Sequence, residues 1–257
     1  MNKLFLGSMA LAAMIAGPAM AADMPVKVKA PPPVVLYDWS GAYVGFNIGG
    51  TWYDVDRVFP NSAVSNTSTS DSDVIYGFHA GAQGQWGSWV LGIEAAYSAC
   101  YRECRSLSGL LGAPFAADRT LEHKITNLFT VGPRLGFAWD RWMIYGTGGA
   151  ASATLKAQYC VASTGLCGLS ASTQNGQSIN WGWFAGGGLE YMVHKGALVD
   201  VILGAEYQHY DVREKTAFCL SAACNAPGFD YNLSAVGDIV RARLTIKTQG
   251  WGWWGPM

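Results

Sequence analysis

Eight charged residues stand in phase with a two-residue alternation of apolar side chains. Four are acids, Glu94, Glu190, Asp200 and Glu206, and four are bases, Arg134, Arg241, Arg243 and Lys247. Arg241 and Arg243, for example, are separated and flanked by Val240, Ala242 and Leu244, so on a strand the bases and the apolar residues point to opposite faces. Balanced acids and bases gathered on one face can do one of two things. They can line a selective aqueous pore or gate, or they can neutralise each other in a hydrogen-bonded core, because unpaired buried charge is too costly. The balance favours a closed polar core, with Glu94 and Arg134 as the first pair.

The remaining reactive side chains are cysteines and histidines. Cysteines fall as Cys100-x3-Cys104, Cys160-x6-Cys167 and Cys219-x4-Cys224. In an oxidising compartment they are expected to form disulfides, and neighbours within one segment are closest in space. Rings this small stiffen a loop tip and add only modest global stability. Cys100 and Cys104 could be joined with His123 as metal ligands, but the spacing is not a standard zinc pattern. His79, His123, His194 and His209 are the only histidines. Ser98, His209 and Asp211 could be imagined as a nucleophilic triad, yet no motif surrounds them and a triad is defined by geometry. Neither a phosphate-cradling loop nor a zinc-protease motif appears. No residue is therefore assigned a catalytic, cofactor or metal role.

The elements that position these groups are strands. The clearest is Trp181-Gly-Trp-Phe-Ala-Gly-Gly-Gly-Leu-Glu-Tyr191, in which Trp181, Trp183, Ala185, Gly187, Leu189 and Tyr191 share one face. Gly182, Phe184, Gly186, Gly188 and Glu190 share the other. Aromatics bracketing an apolar band are what a bilayer asks of a strand. The same alternation recurs over residues 39–53, 74–86, 89–98, 122–139, 142–159, 197–211 and a last strand ending at 240–247, for eight strands in all. It places Trp52, Tyr76, Trp86, Trp89, Tyr97, Trp139, Trp181, Trp183, Tyr191 and Tyr207 at the lipid interfaces. Pro133, on the outward side, predicts a local bulge.

Connections alternate long and short. Segments 54–73, 99–121, 160–176 and 212–231 read as loops, whereas Gly87-Ser88, Asp140-Arg141 and His194-Lys195-Gly196 read as tight turns. Outer-membrane barrels have this asymmetry, with long external loops and short periplasmic turns. An even strand count puts both termini on the periplasmic side. An interior of eight strands is only wide enough for side chains to fill.

Composition and the N-terminus agree. Half of the 257 residues are apolar and 14% are charged, against roughly a quarter charged in an average soluble domain. The formal net charge of −1 gives no electrostatic case for nucleic acid. Asn2-Lys3, the apolar run 4–15 and Ala19-Met20-Ala21 read as a secretory signal peptide over 1–21. That apolar run is too short to span a bilayer, and no longer one follows. Residues 22–38, with Pro25, Pro31, Pro32 and Pro33, read as a stiff periplasmic spacer, 39–247 as the barrel and 248–257 as a Trp-rich tail.

Several blocks also resemble a known family. Tyr37-Asp-Trp-Ser-Gly-Ala-Tyr-Val-Gly45, Gly132-Pro-Arg-Leu-Gly-Phe137, Gly188-Leu-Glu-Tyr191, Gly204-Ala-Glu-Tyr207 and Val240-Arg-Ala-Arg-Leu244 are similar, in order and spacing, to the alphaproteobacterial outer-membrane immunogenic proteins of the RopB type. The resemblance implies a small OmpA/OmpX-like barrel, often called a porin-family protein, with roles in envelope integrity and surface recognition. The tail after Lys247 and the six cysteines depart from that pattern.

The resulting expectation is an all-β, eight-stranded antiparallel up-and-down barrel in the outer membrane of a Gram-negative bacterium. It is read as a non-enzymatic structural and surface-interaction protein with a plugged polar lumen and disulfide-clamped loops. The alternatives are a narrow or gated porin for small solutes and an outer-membrane lipid-modifying enzyme. Its expected partners are lipopolysaccharide and phospholipid, the barrel-assembly machinery, and a surface or host ligand at the loops. No cofactor or nucleic acid is expected.

Overall fold

The computed structural model describes residues 37–58, 66–107, 119–164, 166–167, 176–213, 218–219 and 230–249. The expected signal peptide, most of the Pro-rich spacer and nearly all of the Trp-rich tail lie outside them. The alternating segments form β1 (Gly41–Val58), β2 (Thr67–Trp86), β3 (Trp89–Cys100), β4 (Arg105–Leu107), β5 (Arg119–Trp139) and β6 (Trp142–Val161). They continue as β7 (Leu166–Cys167), β8 (Gly176–Lys195), β9 (Val199–Arg213), β10 (Phe218–Cys219) and β11 (Asp230–Thr248). Going round, β1, β2, β3, β5, β6, β8, β9 and β11 pair antiparallel in turn. β11 returns to β1 in register from Tyr43↔Lys247 to Val58↔Asn232, so the eight strands close. Closure leaves no sheet edge facing hydrocarbon, where each unpaired backbone group would cost several kcal/mol. The short β4, β7 and β10 pair with β5, β6 and β11 beyond the barrel's middle.

One end of the barrel carries tight turns. Gly87 takes φ +61° in the β2–β3 turn and Asp140 takes φ +54° in the β5–β6 turn, the left-handed conformation that Gly and Asp tolerate best. The third turn is shifted from its expected place. His194 and Lys195 still belong to β8, which is bulged between Met192 and His194, and the chain reverses over 196–198.

Alternation sets the two faces. The outward face carries Trp86, Trp89, Trp139 and Trp142 near the turn end, and Trp52, Tyr76, Tyr97, Phe129, Trp183 and Tyr207 further up. Trp89 and Tyr97 are eight residues apart on β3, and Tyr76 and Trp86 ten apart on β2. At about 3.3 Å per residue and a tilt of about 40°, those spacings span roughly 20–25 Å, the height of an outer-membrane apolar band.

Two local expectations are corrected. Residues 54–58 and 67–73, expected to be loop, are strand. They were illegible because beyond the aromatics the outward residues become Asp54, Asp56, Ser70 and Ser72 while Val55 and Ile75 turn inward, which inverts the pattern used to recognise strands. Pro133 carries no bulge. The β5–β6 register is the same on either side of it, Val131↔Ala150 and Arg134↔Thr147, and the irregularity lies between Ile125 and Asn127 instead. A proline missing its donor interrupts a ladder without needing an extra residue.

The interior is layered. An apolar layer at the turn end contains Trp39, Val90, Met143, Met192 and Ile202, and a larger one at the loop end contains Tyr53, Val55, Ile75, Leu128, Leu155, Phe184, Val212 and Leu233. Trp39, expected to open the first strand, instead precedes it and is fully buried at the turn end. Its N–H donates to Gln85 Oε1 at 2.7 Å and its carbonyl accepts Gln83 Nε2 at 2.8 Å.

Candidate functional site

Between the two apolar layers lie six of the eight charged residues, with Asp200 and Lys247 nearer the turn end. β11 supplies them from consecutive inward positions, Arg241, Arg243, Thr245 and Lys247. Two meet partners directly across the ladder, because Arg241 is in register with Glu206 and Lys247 with Asp200. Arg241 Nη2 reaches Glu206 Oε1 at 2.6 Å and Lys247 Nζ reaches Asp200 Oδ2 at 2.9 Å. Arg243 is different. Its register neighbours are Gly204 and Asn47, neither an acid, so its side chain crosses the interior.

There it joins three carboxylates from three strands. Arg243 Nη2 lies 2.6 Å from Glu94 Oε2 on β3, Nε lies 3.5 Å from Glu190 Oε1 on β8, and Nη1 contacts Glu206 on β9. Arg134 on β5 closes the ring from the far wall, with Nη2 2.6 Å from Glu190 Oε2 and Nη1 3.3 Å from Glu94 Oε2. Three guanidiniums face three carboxylates, so formal charge cancels. All six side chains are 6% exposed or less, which makes pairing a condition of their burial.

Two tyrosines complete the acids' coordination. Tyr43 donates to Glu94 Oε2 at 2.9 Å, and Tyr145 donates to Glu206 Oε2 at 2.5 Å while its ring lies 3.6 Å beneath the Arg134 guanidinium. Glycines make room for them. A Cβ on Gly81 would fall 2.5 Å from the Tyr43 hydroxyl, and one on Gly188 would fall 2.6 Å from that of Tyr145. Glycine on the inward face is therefore a space requirement of the large polar side chains opposite.

The expected eight-residue cluster is thus two groups. Glu94, Arg134, Glu190, Glu206, Arg241 and Arg243 form one network, whereas Asp200 and Lys247 pair separately toward the turn end. Lys247 also donates to Ser40 O at 2.9 Å, and Gln249 Nε2 donates to Asp200 Oδ1 at 2.9 Å. Alternation reveals which side chains point inward, but not which of them reach one another across the barrel. Tyr145 was missed for a related reason, since the glycine and alanine run 148–151 blurs the alternation of β6.

The imagined triad does not assemble. Ser98 faces the interior and its Oγ accepts from Arg241 Nη1 at 3.3 Å. His209 lies on the outward side, with Nδ1 2.9 Å from Asp238 Oδ1, and Asp211 pairs with Arg213 at 2.6 Å. His79 is inside beside Thr245, with Nε2 to Oγ1 2.8 Å, and His194 is exposed at the turn end. His123 lies beyond the aromatics at the loop end, buried, where its Nδ1 accepts from Arg57 Nε at 2.9 Å. Burial and the Arg57 guanidinium both hold its pKa well below the ordinary value of 6.5.

Cys100 and Cys104 form a disulfide, so their sulfurs are not available as thiolate ligands beside His123. Asp73, close to both, accepts the N–H groups of Arg102 and Cys104 through Oδ2 at 2.9 and 3.0 Å. Cys160 is also disulfide-bonded, and its register partner in the β6–β7 ladder is Cys167. Cys219 lies in β10 opposite Asp230. Cys224 falls outside the described residues.

A family model for the outer membrane protein β-barrel domain matches residues 9–237. The 31 kDa outer-membrane immunogenic proteins of Brucella melitensis biotype 1 and Brucella suis biovar 1 are each 29% identical over 219 residues, covering 80% of this chain and 85% of theirs. Among solved structures, the outer membrane protease OmpT of Escherichia coli aligns over 83% of this chain and 99% of its own, with 9% identity and a TM-score of 0.47. Ail, the attachment invasion locus protein of Yersinia pestis, aligns over 80% of this chain and 99% of its own, with 12% identity and a TM-score of 0.36.

Proposed function

The chain belongs to the outer membrane protein β-barrel family, and from that premise we propose that it is a structural and surface-interaction protein, not an enzyme or an open channel. Its interior is closed by its own side chains, and its surface role is carried by disulfide-clamped loops. The observation that carries this reading is the path of Arg243, which leaves β11 and meets acids of β3, β8 and β9 in the middle of the barrel. A side chain tied to three walls leaves no continuous aqueous path through an eight-stranded interior. Trp39 blocks the turn end in addition.

The tight turns face the periplasm and the disulfide loops face outward, the usual asymmetry of such barrels. The outward aromatics, Trp52, Tyr76, Trp86, Trp89, Tyr97, Trp139, Trp181, Trp183, Tyr191 and Tyr207, sit at the two lipid interfaces. Its partners are lipopolysaccharide and phospholipid around the belt, the assembly machinery during insertion, and a surface ligand at the loops.

The test is a planar-bilayer recording of the refolded full chain. The expected trace is flat at moderate voltage, and stable single-channel steps would replace the closed barrel with a narrow porin. The non-enzymatic part is tested by lipid turnover in cells. Loss of a lipid-modifying activity on His209→Ala or His79→Ala would overturn it.

A further inference from the structure

Above the loop-end aromatics, the outer wall of the barrel is charged unevenly. Three cations stand side by side across β4, β5 and β6, since Arg105 is in register with Lys124 and Lys124 with Lys156. All three are accessible from outside; the Arg105 side chain is 48% exposed, that of Lys124 is 23% exposed, and Lys156 is exposed. Like charges directly across a ladder repel, so such a row is unfavourable unless anions answer it. The protein answers it in part. Arg105 meets Glu122 at 2.8 Å and Lys124 meets Glu103 at 2.5 Å, while no carboxylate of the described residues pairs with Lys156. Asp54, Asp56 and Asp238, on β1 and β11, occupy the opposite wall.

The apolar surface climbs on the cationic side. Ile179 and Trp181 on β8 are 66% and 62% exposed, and they lie in register with Thr154 and Ser152, the outward-side positions leading up β6 to Lys156. Lys124 is five residues beyond Phe129 on β5. At about 3.3 Å per residue and a tilt of about 40°, its backbone stands roughly 12 Å above the apolar band, within the polar layer of the leaflet once a long side chain bends back toward lipid. Cations at headgroup height beside a raised apolar strip match a lipid that carries phosphate close above its acyl chains.

We propose that this wall binds a phosphorylated glycolipid of the outer leaflet, with Arg105, Lys124 and Lys156 contacting its phosphate and Ile179 and Trp181 lying against an acyl chain. Arg105 supplies a planar fork for two phosphate oxygens, and the two lysines supply point charges. The opposite, carboxylate-bearing wall repels the same headgroup, so the lipid is held on one side of the barrel. The proposal rests on the outward orientation of the loop end given above.

The test is native mass spectrometry of the full refolded chain in detergent, using bisphosphorylated lipid A, phosphate-free lipid A, and inorganic phosphate as competitor. The expected result is retention of the bisphosphorylated form and release of the phosphate-free form. Affinity should fall roughly fivefold for Lys156→Gln, and on the order of twenty-fivefold for Lys124→Gln with Lys156→Gln, at about one surface-cation contribution each. Asp56→Asn on the far wall should change nothing. If the double variant does not regain a heat-modifiable barrel, Lys156→Glu alone carries the test, because no ion pair is lost with it.

Equal retention of both lipids, or unchanged binding by Lys156→Glu, overturns the proposal. Displacement by sub-millimolar inorganic phosphate also overturns it, in favour of a free-anion site. Because detergent has no sidedness, failure here leaves the membrane orientation untouched. That orientation is read separately, by labelling Ser68→Cys on intact cells.

Discussion

The two halves of this barrel are built on opposite rules. In the half bounded by aromatic residues, the outside is apolar, with Phe46, Ile48, Phe78, Leu91, Ile93 and Leu244 exposed, and the inside holds Arg134, Arg241, Arg243 and their acids. In the loop-end half the outside carries Asp54, Asp56, Ser70, Lys124 and Lys156, and the inside holds Val55, Ile125, Leu155, Val212 and Leu233. Most strands run through both halves, and where β3 ends at Cys100 the short β4 takes its place beside β5. One hydrogen-bonded sheet thus serves two solvents, and the position where polarity inverts marks the boundary between them. At these positions each half buries what its surroundings reject, although the loop-end half also encloses Arg57, Glu122 and His123 and the turn end an apolar layer. Hydrocarbon rejects charge, so charge goes inward and must be paired; water rejects apolar area, so above the band that area goes inward.

If that comparison holds, the largest effect should come from unpairing the belted interior. Arg243→Ala removes the group shared by Glu94, Glu190 and Glu206 and leaves two guanidiniums facing three buried carboxylates. Breaking a buried pair this way costs about 3–5 kcal/mol. The expected outcome is a clear drop in the urea or heat midpoint of the folded, fast-migrating form on gels, with the turn-end and loop-end layers unfolding together. A midpoint within error of the wild type would mean that the network is not what holds this half.

In the loop-end half the same logic applies to a methylene instead of a charge. Leu155, 1% exposed within the upper apolar cluster, should cost about 2–4 kcal/mol when replaced by Ala. The loss should be local. Hydrogen exchange should rise in the loop-end parts of β5 and β6 while amides level with Arg243 stay protected. Exchange rising equally along both strands would erase the distinction between the halves.

The outer surface gives a third comparison. Ile93 lies midway between Trp89 and Tyr97, so Ile93→Arg places a charge near the middle of the apolar band, at about 2–4 kcal/mol. Ser68→Arg, on the outward face above the band, should stay within about 0.5 kcal/mol of the wild type. Similar penalties at both positions would put the band somewhere other than between the two rings of aromatics.

The inversion also explains what could be read from the residues alone. The stretch Trp181–Tyr191 shows its faces plainly because Trp, Leu and Tyr alternate with Gly and Glu, and its burial follows that pattern, with Phe184 and Glu190 inside and Trp181 and Trp183 outside. Residues 54–58 hide theirs, since Asp-Val-Asp-Arg-Val looks like a polar loop until the apolar face is known to point inward. Within the network, Arg241–Glu206 and Lys247–Asp200 are ladder neighbours, but Arg243–Glu94 joins residues 149 apart on strands that do not touch. Strand periodicity reports direction, and cross-barrel reach depends on closure, so the route of Arg243 was invisible in its local pattern. Trp39 was hidden by its neighbours, because it stands two residues before a clear strand and reads as its first member.

The smallest effect belongs to pH, and in the loop-end half it should follow His123. His123 is buried there against Arg57, and both burial and that guanidinium keep it neutral, with its pKa well below 6.5. In the unfolded chain the same imidazole titrates near about 6.5. Above that value neither state binds the proton, and the group's contribution is fully present. As pH falls below it, the unfolded state takes up a proton that the folded state refuses, so stability drops with acidification. The expected outcome is faster exchange of the amides around Ser106 and His123 at pH 5 than at pH 7.5, after correction for intrinsic rates. His123→Gln should flatten the difference, because glutamine offers Arg57 an acceptor that does not titrate. A pH response that survives this substitution would assign the loosening to other loop-end groups and break the link between the upper half's apolar burial and its one deeply buried imidazole.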